Sequence, residues 1–229
     1  NLGEEQSVIG EIDKDKIPVT GHSRFGCWIC TMVKEDKSLK AFIDRGETWL
    51  EPLCDFRNWL IELRSTPSAR ENKRRNGQMY KKADGEYGLG PFTMESRVEI
   101  LRRLLQLEVT YNFDLITLEE LKFIDKTWDD EGDLSRRTLV DLYYEIKGKH
   151  LPWDDYKVPV FSEEVIDEIK KQCEENNVEF ELISKLIVEI EANKNYTKGS
   201  RVTKAFDRII NQGWLHFETI QRGLNHEDQ

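Results

Sequence analysis

Cys27 and Cys30 lie in the run Ser23-Arg24-Phe25-Gly26-Cys27-Trp28-Ile29-Cys30-Thr31, the stretch of this chain best suited to inorganic chemistry. A Cys-x-x-Cys spacing lets two thiolates grip one metal ion from a single turn of backbone, or close a redox disulfide. Phe25 and Trp28 would shield such a site from water, and Arg24 would set a positive charge beside an anionic centre. The pair also reads as two small apolar residues half-buried in a turn. His22 is placed as a third ligand. Cys54 and Cys173 are further candidates, although both fall on apolar helix faces where a thiol packs as a small hydrophobe.

A second chemical feature is cationic. Arg70, Lys73, Arg74, Arg75, Lys81 and Lys82 crowd one stretch in which Glu71 is the lone acid. Asn76, Gln78 and Tyr80 add groups that hydrogen-bond to bases or phosphates. Such a stretch suits an anion-binding loop for a DNA backbone or a nucleotide phosphate. A solvated loop without a ligand has the same composition. Arg102-Arg103 and Arg136-Arg137 sit on polar helix faces and suit intramolecular pairing with acids.

Net charge bounds the partners. With 34 basic against 44 acidic residues the chain carries −10, so indiscriminate coating of nucleic acid is excluded and any contact with it must be local. The longest apolar runs span only a few residues, far short of the ~20 that cross a bilayer. Four cysteines, two of them in a tight pair, suit a reducing cytoplasm better than a disulfide scaffold. Beginning at Asn1 without a Met, the chain is expected to be part of a longer protein. No Ser-His-Asp set, His-Glu-x-x-His helix, Rossmann fingerprint or Walker loop is present, and no catalytic residue is assigned.

The elements that must position these groups are helical. Leu39, Phe42 and Ile43 share one face before Gly46 interrupts, and Trp49, Leu53, Phe56 and Leu60 form the next amphipathic stripe, closed by Pro67. Residues 65–92 lack periodicity and carry several glycines, a length of irregular chain usually reserved for function or disorder. Thr93 caps a helix with Val98, Leu101, Leu104 and Leu105 on its face, and Thr117 with Glu120 forms a capping box for another. A helix over Leu134 to Ile146 ends at Gly148, and Leu151 to Phe161 reads as a surface linker. Two helices joined at Asn176-Asn177 follow, the first lined by Val165, Ile166, Ile169 and Cys173 and the second by Leu182, Ile183, Leu186, Ile187 and Ile190. Val202 to Trp214 opens the last. The expected fold is mainly α: an irregular cysteine-bearing arm and motif segment over 1–47, then a bundle-like helical domain over 48–229 with the basic loop at 65–92.

The cysteine run, with Lys34 to Ser38 after it, resembles the cysteine motif of the DndC family, the phosphoadenosine-phosphosulfate-reductase-like sulfurtransferases of DNA phosphorothioate modification. The likeness continues through Trp49-Leu50-Glu51-Pro52-Leu53, Arg74-Arg75-Asn76-Gly77, Gly90-Pro91-Phe92-Thr93 and the closing helices. It implies a 4Fe–4S cluster held by Cys27 and Cys30, with His22 or another group completing the ligands. It also implies DNA, a cysteine desulfurase and other proteins of the phosphorothioation system as partners. In that family an N-terminal domain of the ATP-pyrophosphatase type activates the substrate. This chain has no pyrophosphatase loop and by the resemblance would need that domain to use ATP, so alone it is expected to be inactive. The family carries further cysteines upstream, whereas residues 1–26 here contain none and Thr20 stands near one of those places. Arg24 and the 70–82 stretch would then hold the phosphodiester or nucleotide. The competing expectation is a non-catalytic nucleic-acid-binding or assembly module with a structural zinc, or no metal.

Overall fold

A computed structural model describes residues 28–33, 35–74, 79–82, 85, 87–194 and 203–210. Those residues are mainly helical, and their β pairing amounts to two isolated antiparallel bridges. The chain divides into two compact units, Asn1–Leu63 and Arg64–Gln229.

In the first unit, helix α1 spans Lys37–Asp44. Asp36 starts it, accepting from the amides of Ser38 and Leu39 at 3.0 Å each, which satisfies two donors that a helix end leaves orphaned. A short 3₁₀ turn, Thr48–Leu50, leads into α2, Glu51–Ser65. Pro52 sits in the first turn of α2, where its missing N–H costs nothing. The buried positions of α2 are Leu53, Phe56, Arg57 and Leu60, one face at helical spacing. Trp49 does not extend that stripe: it lies in the 3₁₀ turn and is 56% exposed. The change in winding ahead of α2 takes its side chain off the helical register.

The second unit holds the larger core. Helices α3 (Met94–Tyr111), α4 (Leu118–Glu131) and α5 (Thr138–Lys147) pack so that Leu101, Leu105, Leu121, Trp128, Leu139, Val140 and Leu142 close on one another. Their ends are set locally. The Thr93 hydroxyl accepts from the Ser96 amide, and Thr117 with Glu120 completes a reciprocal capping box. Helices α6 (Glu163–Glu175) and α7 (Phe180–Asn193) pack together, with α7 also against α4, around Leu134, Ile166 and Val188. A helical stretch over 203–210 follows.

Three expectations change in detail. The helix expected from Leu134 begins instead at Thr138, because the Asp133 carboxylate captures the amides of Ser135 and Thr138 and folds residues 134–137 into a turn. The expected surface linker over 151–161 is stitched into the core. Leu151 is buried, Trp153 donates its indole N–H to Asp125 at 2.8 Å, and the Val160 amide reaches the Leu134 carbonyl. On α7 the most buried positions are Ser184 and Val188, while Ile190 is 49% exposed. The inward face is set by the neighbours, not by apolarity alone.

Candidate functional site

The basic stretch becomes a self-paired loop between α2 and α3. At its base, Arg70 and Phe92 form an antiparallel bridge, the Glu71 amide donates to Pro91, and the Gly90 amide returns to Glu71 at 2.7 Å. A Cβ on Gly90 would stand 2.0 Å from the Lys73 carbonyl oxygen and 2.8 Å from that of Glu71. Only glycine lets the two strands of the loop approach so closely. Nearer the tip, Lys81 pairs with Tyr87, and the Gly88 amide donates to Tyr80.

The cations of this loop divide. Arg70 turns inward: Nε donates to the Gly90 carbonyl at 2.7 Å, Nη2 to the same oxygen, and Nη1 to the Arg64 carbonyl at 3.0 Å. Its guanidinium also lies 4.7 Å from the centroid of Phe92. Burial, and then the charge of Arg64, lowers its pKa from the ordinary arginine value. Lys73 is ion-paired to Glu179 at 3.1 Å, which clips the loop to the start of α7. Arg74, Lys81 and Lys82 are exposed, with Arg74 stacked 4.5 Å from the centroid of Tyr80 and Lys81 6.0 Å from that of Tyr87. Arg75 and Asn76 lie outside the described residues.

Beneath the loop base is a cavity of about 260 Å³, lined among others by Glu71, Arg97, Trp128, Glu181, Ser184 and Lys185. Arg97 joins loop to helices here, donating to the Phe92 carbonyl at 2.9 Å and pairing with Glu131. Glu71, the lone acid of the basic run, meets Glu181. Burial first, and then the neighbouring Glu181 carboxylate, pushes the Glu71 pKa up to about 7, against the opposing charges of Lys185 and Lys73. With a second carboxylate beside it and burial around it, Glu71 holds its proton to a higher pH than an exposed glutamate would. Sequence reading missed this pair. Its faint signal was an acid placed inside a cationic run.

A second polar network lies along α4. Lys157 bridges Asp125 and Asp129 at 2.6 Å each, and burial raises the pKa of Asp129 despite that lysine. In α3 the buried Glu108 accepts from the Leu115 and Ile116 amides and pairs with Lys147 at 2.7 Å. These groups tie helix ends and crossings together.

Of the proposed metal site, Cys30 is described: it is a free, half-buried thiol. Cys27, His22 and Arg24 lie outside the described residues. The backbone just past Cys30 is held from within its own unit. Arg57, 1% exposed, donates from Nη2 to the Val33 carbonyl at 2.6 Å, and Trp28 packs on Phe56 with ring centroids 5.9 Å apart. Cys54 is half-buried, with the Asn58 side-chain amide 3.8 Å from its sulfur. Cys173 is buried on α6, where burial pushes its thiol pKa up. Among the described residues, no three His, Cys, Asp or Glu side chains converge as metal ligands. Two thiolates suit iron–sulfur or zinc by donor chemistry, but the described side chains supply no complete ligand set. Among the described residues, no helix is long and apolar enough to cross a membrane.

Comparison with protein-family models, with curated proteins and with solved structures finds no match for this chain.

Proposed function

We infer that this chain is the cysteine-bearing helical part of a DNA phosphorothioate-modification sulfurtransferase of the DndC kind. The observation that carries the reading is the presence in one acidic chain of the Cys27–Cys30 motif and of a basic loop whose outer cations are exposed. In this reading Arg74, Lys81 and Lys82, with Arg75 and Asn76, contact the phosphodiester, and Arg24 adds charge near the thiols. Arg70 acts differently, as the residue that holds the loop in shape. A cluster held by Cys27 and Cys30 would supply iron–sulfur chemistry to the system. Adenylation with ATP would belong to a pyrophosphatase-type domain, and sulfur would come from a cysteine desulfurase.

Iron and acid-labile sulfide in protein prepared without oxygen test the reading. Both are expected in the native chain, with brown absorbance, and both are expected to vanish in the Cys27→Ser, Cys30→Ser double variant. Zinc without sulfide would support the alternative of a structural module for nucleic-acid binding or assembly. Iron surviving the double change would remove these two cysteines as ligands.

A further inference from the structure

The exposed end of the 65–92 loop pairs its cations with aromatic rings. Tyr80 is 48% exposed and Tyr87 is 46% exposed, and what sets them apart from the chain's other exposed rings is the pair of loop cations against them. The guanidinium of Arg74 lies over Tyr80 at 4.5 Å from its centroid, and the ammonium of Lys81 lies over Tyr87 at 6.0 Å. Because Lys81 and Tyr87 are bridge partners, their side chains project from the same face of the paired segment. A Cβ at Gly88 would come within 2.6 Å of Tyr80 Cδ1, so the ring rests against bare backbone there. Lys82, next in the chain, is exposed.

Duplex DNA and unpaired DNA make different demands on such a surface. A duplex offers phosphates and groove edges, and its bases are already stacked on one another. For that target, cations alone suffice and exposed rings add nothing. An unpaired strand exposes base faces, which stack on aromatic rings and on the planar guanidinium of arginine, while lysines follow the phosphates. The loop presents both kinds of group within one short paired segment. Its base is pinned by Arg70, by the Gly90 approach and by Lys73 with Glu179, while Tyr80 packs against Gly88 and Lys81 is the bridge partner of Tyr87.

We propose that the Tyr80–Tyr87 end of this loop binds unpaired deoxynucleotides, stacking bases on Arg74, Tyr80 and Tyr87 while Lys81 and Lys82 meet the phosphates. The proposal rests on the reading of the loop as a DNA contact and narrows its target to single-stranded or locally opened DNA.

Fluorescence anisotropy with the full chain and a labelled strand of about 16 nucleotides tests it, with the matching duplex at the same salt as the second arm. The single strand is expected to bind about tenfold more tightly than the duplex, and Tyr80→Ala or Tyr87→Ala to lose about tenfold on the single strand with little change on the duplex. Tyr80→Phe and Tyr87→Phe are expected to keep native affinity, which separates the ring from the hydroxyl. Lys81→Ala and Lys82→Ala are expected to weaken both arms and to flatten the salt dependence. Far-UV circular dichroism of each variant verifies the fold. Duplex bound as well as single strand, with tyrosine variants unchanged, overturns the stacking proposal and leaves the loop as a backbone contact. Binding to neither form overturns both.

Discussion

Arg70 and Arg74 stand four residues apart in one cationic run, yet they do opposite things. Arg70 places its guanidinium on two backbone carbonyls and a phenylalanine ring, and so closes the base of the loop. Arg74 stays exposed at the outer part, over a half-exposed tyrosine. A positive charge is therefore a structural part at one position and an exposed group, over an aromatic ring, at the other. What separates them is what lies within reach: Arg70 meets the Gly90 carbonyl at the close strand crossing and the Arg64 carbonyl at the end of α2, whereas Arg74 lies over the Tyr80 ring.

The contrast can be broken most severely at the crossing itself. Gly90→Ala drives a methyl group into the Lys73 and Glu71 carbonyls and is expected to cost about 3 kcal/mol, measured by urea denaturation. Arg70→Met leaves the Gly90 and Arg64 carbonyls without their charged donor, for an expected loss of about 2 kcal/mol by the same measurement. Equal stability of this variant and the native chain would reduce Arg70 to a surface cation.

Proton linkage at Glu71 sharpens the comparison further. Its folded pKa of about 7 lies above the ordinary glutamate value of 4.5, so the folded state holds the proton more tightly than the unfolded chain. The stabilisation is complete below about pH 4.5 and is lost as pH rises through about 7, so this group makes stability fall across that window. Glu71→Gln keeps a hydrogen-bonding group without the ionisation. It should flatten that part of the pH profile of the denaturation midpoint. An unchanged slope would show that the Glu71–Glu181 contact is not proton-linked. The smallest effect is expected at the outer cation: Arg74→Ala should change stability by less than about 0.5 kcal/mol, while still weakening DNA binding.

Much of the helical pattern could be read directly. Thr93, and Thr117 with Glu120, marked helix starts where the structure has them, and Gly148 marked a stop, because caps satisfy donors and acceptors a few residues away. The helix expected from Leu134 starts late because Asp133 imposes a turn over residues 134–137 through its carboxylate, a contact the apolar pattern does not encode. Leu151 and Trp153 escaped notice in a proline-bearing segment, since burial there depends on α4 and α5 lying alongside. In the candidate site, the clustering of cations was plain and their division was not. Nothing in the letters Arg70 and Arg74 distinguishes a residue facing carbonyls from one facing water.

The sequence by itself determined the helical character, most helix ends and the concentration of positive charge within an acidic chain. Those properties arise from composition and from interactions a few residues long, so they survive without knowledge of the fold. Only the tertiary structure decided that Glu71 meets Glu181, that Lys73 is spent on Glu179, and that Tyr80 and Tyr87 stay at the surface with cations beside them. The physical reason is that burial and charge pairing depend on which distant segment packs alongside, and a carboxylate or guanidinium acquires its role from that neighbour.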